Sequence, residues 1–169
     1  LPKKVKNKGA GKEIFFSSVT DPYQGMEAKY LLTRACLEEL IAFGFGGLVS
    51  ILTKSDLVLR DVDLFKKLPR VSVGLTVTST DDGVSRFFET YAPPSSRRIV
   101  ALATLHKEGI KTYAFIGPLL PHFVAQEDAL DRLMAAIAVS GTRDIFVEHL
   151  NLSSYIRTRL MVEMKGKEK

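Results

Sequence analysis

Glu13-Ile14-Phe15-Phe16-Ser17-Ser18-Val19-Thr20-Asp21-Pro22-Tyr23-Gln24-Gly25-Met26-Glu27 is the stretch on which the fold turns. A short apolar run, residues 13–16, reads as a strand. It opens into a turn crowded with hydroxyl and carboxyl groups, and an amphipathic helix over residues 27–43 is expected to follow. Strand, polar turn and helix make one β-α unit. In open and closed α/β folds, ligands gather at the carboxyl ends of the strands, which is where this turn lies.

Moving outward, the same unit recurs. Further strands are expected over residues 48–54, 71–78, 112–117 and 144–150. Helical stretches separate them: a short one ending at Pro69, another carrying Val84, Phe87 and Phe88 behind a Thr80-Asp81-Asp82 cap, then 97–108 and 127–139, and a last helix to Met164 capped by Ser153 and Ser154. In the first helix Ala28, Leu31, Leu32, Ala35, Leu37, Leu40 and Ile41 are expected near one inward face. The strands carry apolar runs suited to burial on both sides. Alternation of this kind specifies an α/β fold around a parallel sheet. Residues 1–12 read as a basic polar linker, 13–164 as a single domain of repeated β/α units and 165–169 as a basic tail.

Composition narrows the class. The 169 residues are 46% hydrophobic and 25% charged, which fits a folded chain with a core. The longest apolar runs fall well short of the ~20 residues of a membrane helix, and no signal-peptide core follows Lys3, Lys4, Lys6 and Lys8. A cytoplasmic location is the resulting expectation. The lone Cys36 excludes an internal disulfide and a cysteine-only metal site within this chain. The net charge of +5 gathers at the two ends without interleaved aromatics. Solvated termini explain that pattern better than nucleic-acid binding.

The strand ends carry the polar groups: Ser17, Ser18, Thr20 and Asp21; Thr53, Lys54 and Ser55; Thr78, Ser79 and Thr80; Glu148, His149 and Asn151. In a parallel sheet they share one rim, able to hold a polar, zwitterionic small molecule. Taken singly, each hydroxyl or Asp also suits a helix cap. Lys54 closes an apolar strand, so it must reach solvent, hold an anion, or pair with an acid such as Asp56 or Asp21. Glu89 either meets a ligand hydroxyl or bridges to Arg97 or Arg98. His149 is better explained as structural than as a general base, His106 as a surface residue, and Cys36 as a buried inert thiol. His122 carries little signal. There is no GxGxxG, no Walker loop, no His-Glu-x-x-His and no nucleophile elbow.

The blocks SSVTDPYQGMEAKYLLTRACLEEL, ILTKSDLVLRDVDLFKKL, VSVGLTVTSTDD and FETYAPPSSRRIVALATLHKEGIKTYAFIGPLLP resemble, in order and spacing, the radical S-adenosylmethionine (radical SAM) proteins of the spore photoproduct lyase-like group. The resemblance covers about residues 13–155. It implies a partial parallel (β/α)6 barrel of which this chain supplies strands two to six. It also implies S-adenosylmethionine and a [4Fe-4S] cluster at the carboxyl rim, with reductive cleavage to a 5′-deoxyadenosyl radical in the intact enzyme. Carried over by position, it assigns Ser18, Thr20 and Asp21 to the cofactor's methionine and substrate side. Lys54 and Ser79 are assigned to the methionine carboxylate, and Ala114 to Pro118 to the adenine border.

Two departures qualify the resemblance. The family's C-x3-C-x2-C cluster motif is absent, and together with the opening Leu1 this leads us to expect an N-terminally truncated chain, inactive alone. The hydrogen-donating cysteine of true spore photoproduct lyases is replaced by Ser17-Ser18-Val19, so thymine-dimer repair is not supported. Nucleic acid stays a candidate substrate. Dimerisation or aggregation through an exposed barrel edge is a further expectation. Competing functions are a non-redox nucleotide- or nucleic-acid-binding module, and an α/β hydrolase or isomerase using Lys54, Asp21 and Glu148.

Overall fold

The computed structural model describes residues 9–16, 19–119 and 128–165; Ser17, Ser18 and His122 lie outside them. Five strands form one sheet: β1 (Glu13–Phe16), β2 (Leu48–Thr53), β3 (Val71–Thr76), β4 (Lys111–Leu119) and β5 (Asp144–His149). All pairings are parallel, and the spatial order β1-β2-β3-β4-β5 equals the chain order. The winding never reverses, as in a β/α barrel and unlike a doubly wound sheet. Among the described residues β1 and β5 do not pair, so the sheet is an open arc.

Between the strands run α1 (Glu27–Tyr30), α2 (Leu32–Phe43), a 3₁₀ turn (Asp56–Asp61), α3 (Val62–Phe65), α4 (Asp82–Phe88), α5 (Ser95–Lys107), α6 (Ala129–Val139) and the final α7 (Ser154–Met164). Period-two alternation sorts the strand residues. Val49, Ile51, Val73, Leu75, Ala114 and Ile116 are fully buried in a core shared with Leu37, Phe65, Leu102, Leu105 and Ile137 from the helices. Their neighbours Ser50, Leu52, Ser72, Tyr113, Phe115 and Phe146 face the other way and line a cavity of about 870 Å³.

Tyr113 crosses that second face. Its hydroxyl donates to the Ile51 carbonyl at 2.9 Å, two strands away, and its ring meets Phe146 edge-on at 5.5 Å. Gly74 is its register partner on the strand between. A Cβ at position 74 would collide with the Tyr113 ring, which is why glycine stands there.

The structure departs from the sequence expectation in three places. The first helix is broken: Leu31 adopts a left-handed conformation (φ 55°, ψ 29°) and separates α1 from α2. The break re-phases the face, so Leu37 is fully buried and Leu40 and Ile41 partly so, whereas Ala28, Leu31, Leu32 and Ala35 are exposed. Glu27 supports the new start, accepting the amides of Leu32 (2.9 Å), Thr33 (3.1 Å) and Arg34 (3.4 Å), which a helix N-terminus otherwise leaves open. Second, β3 ends at Thr76 while β4 continues to Leu119 through a cis Gly117–Pro118 bond. Third, Cys36 is exposed, not buried.

Candidate functional site

A cleft of about 560 Å³ opens at the carboxyl ends of the strands. Thr20 and Asp21 approach it from the turn after β1, Thr53 and Lys54 from the end of β2, and Thr76 from β3. Phe115, Gly117 and Pro118 come from β4, and Glu148, His149 and Asn151 from β5 and beyond. Parallel strands of unbroken order bring residues distant in sequence to one rim.

Asp21 ties that rim together. Its Oδ1 accepts the Tyr23 amide at 2.8 Å, closing the turn locally, and the Thr53 hydroxyl at 2.6 Å. Its Oδ2 accepts the Lys54 amide at 2.7 Å. The Thr53 oxygen in turn receives the Ser55 amide at 2.9 Å. One carboxylate thus fixes the β1 turn to the backbone from which Lys54 projects.

Below it lies a buried ionic cluster. Asp61 is completely buried and is paired with Arg34 (2.8 Å) and Arg60 (2.8 Å); it also accepts the Tyr23 hydroxyl at 3.0 Å. Arg60 reaches Glu27 as well, at 3.0 Å. Burial works against the Asp61 charge, but hydrogen bonds from Arg60, Arg34 and Tyr23 outweigh it and hold the carboxyl below its usual range. Burial first, and then the Asp61 charge, push the Tyr23 phenol far up, so it remains a donor. Tyr23 joins this cluster to the Asp21 turn.

The cations of the rim share one acid. Lys54 Nζ, on a side chain 39% exposed, lies 3.2 Å from Glu89 Oε1. The other Glu89 oxygen lies 2.6 Å from Nη1 of Arg98, a side chain with no exposed surface. Arg98 also donates to the carbonyls of Pro93 (2.7 Å) and Thr76 (3.1 Å), while its Nη2, the buried Ser95 hydroxyl and the Glu89 Oε2 that it faces find no aligned hydrogen-bond partner among the described residues. Two cations on one carboxylate leave one net positive charge, and the accessible part of it sits on Lys54. Asp56, one of the partners considered for Lys54, is taken by Arg97 instead.

The structure brings Thr20, Asp21, Lys54 and Pro118 to the cleft. Ser79 is not among the cleft residues; its hydroxyl accepts the Asp81 amide at 2.9 Å beside the start of α4, where Asp81 caps Gly83 and Val84. Ala114 is fully buried in the core on the helix side. Ser18 lies outside the described residues. Phe115, within the Ala114 to Pro118 span, lines the cleft, and so does Thr76, which was not singled out in the sequence; the alternation of β3 was the signal that could have found it. Among the described residues no group of three or more His, Cys, Asp or Glu side chains is arranged to hold a metal. The single thiol, on α2, cannot supply the three-cysteine ligation of an iron–sulfur cluster, so the residues of this chain do not fit that group. Among the described residues no helix is long and apolar enough to cross a membrane.

No family model matches the chain. It is 43% identical over 127 residues to an uncharacterized protein of Methanocaldococcus jannaschii, an overlap of 75% of this chain and 48% of that one. It is 30% identical over 141 residues to uncharacterized proteins of Mycobacterium bovis and Mycobacterium tuberculosis, overlapping 82% of this chain and 41% of each of those. The chain therefore spans about half the length of the curated relatives it matches. Among solved structures, spore photoproduct lyase with bound AdoMet and dinucleoside spore photoproduct superimposes with a TM-score of 0.69 at 16% identity, over 96% of this chain and 48% of that one. Streptococcus suis SuiB bound to S-adenosylmethionine superimposes with a TM-score of 0.60 at 11% identity, over 96% of this chain and 38% of that one.

Proposed function

Taking as premise that the chain has the fold of the radical SAM enzymes, we propose that it forms the S-adenosylmethionine-binding part of a radical SAM barrel, with the cleft at its carboxyl rim as the binding site. One observation carries the reading: a lysine with net positive charge to spare stands at the end of β2, in a cleft whose volume falls within the ~300–1,000 Å³ of small-molecule sites.

The residues present suit this ligand's mixed charge. Lys54 would hold the carboxylate through a charge-assisted hydrogen bond. The carboxylates of Glu148 and Asp21 favour the ammonium and sulfonium groups. Phe115 offers an apolar wall, and Thr20 and Thr76 offer hydroxyls. Asp21 keeps the Lys54 backbone in place while this happens. Reductive cleavage of that ligand, one electron giving methionine and a 5′-deoxyadenosyl radical, is chemistry that a cluster held by other residues would have to supply. The cluster ligands would have to come from outside this chain, and thymine-dimer repair is not part of the proposal because residues 17–19 carry no cysteine.

The test is equilibrium binding of S-adenosylmethionine to the chain and to its Lys54→Met variant. Binding that falls about tenfold or more in the variant, roughly the contribution of one charge-assisted bond, is the expected result. Equal affinity of the two would overturn the assignment. For the intact protein, the matching measurement is 5′-deoxyadenosine formed under reducing, anaerobic conditions.

A further inference from the structure

Glu89 stands on the connection between β3 and α5, remote in sequence from Lys54, and yet the two meet at 3.2 Å. We propose that Glu89 is a positioning residue: with Arg98 as its fixed counter-ion, it orients the Lys54 ammonium toward the cleft without using up its charge. This rests on the assignment of Lys54 to the ligand's carboxylate.

The geometry gives each member a distinct part. An ammonium on a four-carbon stem has many rotamers, and fixing it costs conformational entropy that an incoming ligand must otherwise supply. Glu89 holds the ammonium as an ion pair at 3.2 Å and leaves its N–H donors to the cleft. A lone carboxylate there would neutralise Lys54 and repel a ligand anion. Arg98 prevents this. It is wholly buried and held by two backbone carbonyls, and its Nη1 stands 2.6 Å from the other Glu89 oxygen, a charge contact and not an aligned hydrogen bond. The Glu89 charge is therefore already balanced from within, and Lys54 keeps its own. The contact with the Thr76 carbonyl also locks this pair to the end of β3, whose Thr76 lines the same cleft.

Glu89→Asp separates positioning from charge. The shorter acid keeps the negative charge next to Arg98 but cannot span to Lys54 at the same time. The probes are S-adenosylmethionine and 5′-methylthioadenosine, which shares the nucleoside and sulfur but has no carboxylate. The expected result is a three- to tenfold loss of affinity for the first and no change for the second, with the far-ultraviolet spectrum and melting temperature retained. A retained melting temperature with equal loss for both probes, or with no loss for either, overturns the inference while leaving the binding site intact. Should Glu89→Asp not fold, nuclear magnetic relaxation of the Lys54 ammonium in the unsubstituted, ligand-free chain decides. A restrained ammonium is expected; one as mobile as that of a fully exposed lysine overturns the inference. Failure of the unsubstituted chain to bind either probe would instead overturn the S-adenosylmethionine site itself, and this inference with it.

Discussion

The carboxylate of Asp21 accepts the backbone amide of Lys54 at 2.7 Å across thirty-three positions of sequence. Its other oxygen is already shared by the Tyr23 amide and the Thr53 hydroxyl. A group that first reads as a ligand contact therefore also fastens the backbone from which Lys54 projects into the cleft.

Asp21→Ala should strand three donors at once. A stability loss of about 2–4 kcal/mol is expected in urea unfolding, from roughly 1 kcal/mol for each lost bond plus the unsatisfied amides. Asp21→Asn retains a carbonyl oxygen and should cost about half as much. A loss below about 0.5 kcal/mol for the alanine variant would show that the turn is held by other means.

Asp61 makes the fold sensitive to acid. Its folded-state pKa is depressed below the ordinary 3.8, so it binds protons less readily folded than unfolded. Its stabilising contribution is fully present above that value and is lost as pH falls through the lowered folded-state pKa. Melting temperature should therefore decline as pH drops below about 4, beyond the general acid loss. Asp61→Asn should flatten that part of the profile while lowering stability at neutral pH, because Arg34 and Arg60 lose their shared partner.

Gly74→Ala should destabilise by about 1–3 kcal/mol, since the new methyl lands on the Tyr113 ring. The same change in a Tyr113→Ala background should cost much less. The two substitutions are then strongly non-additive in a double-mutant cycle, whereas additive costs would show that the ring does not lie over Gly74.

Gly117 has the same relation to Phe115, whose ring occupies the space a Cβ would need. Phe115 lines both the cleft and the larger cavity behind it. Gly117→Ala should therefore displace the ring and weaken S-adenosylmethionine binding several-fold, with a smaller effect on folding. Unchanged affinity would place Phe115 outside the binding surface.

Much of the architecture was legible in the chain itself. Five apolar, β-branched runs separated by helical segments specify a parallel α/β sheet, and the polar ends of those runs mark one rim as the candidate site. The helix over 27–43 shows the limit of such reading. Its apolar spacing suggested one continuous face, but the Glu27 carboxylate, reaching forward to the amides of Leu32 to Arg34, stabilises a break that propensity does not reveal.

By itself, the sequence determined local periodicity and therefore the fold class and the candidacy of Thr20, Asp21 and Lys54 at the polar strand ends, while the family resemblance added Pro118. Tertiary structure alone decided the partners. Lys54 meets Glu89, Arg98 is sealed behind β3, Ala114 turns into the core, and Ser79 spends its hydroxyl on the Asp81 amide. The physical reason is range. Periodicity is set by neighbours two to four positions apart, whereas the charge balance of the rim depends on groups that only the curvature and order of the sheet bring close together.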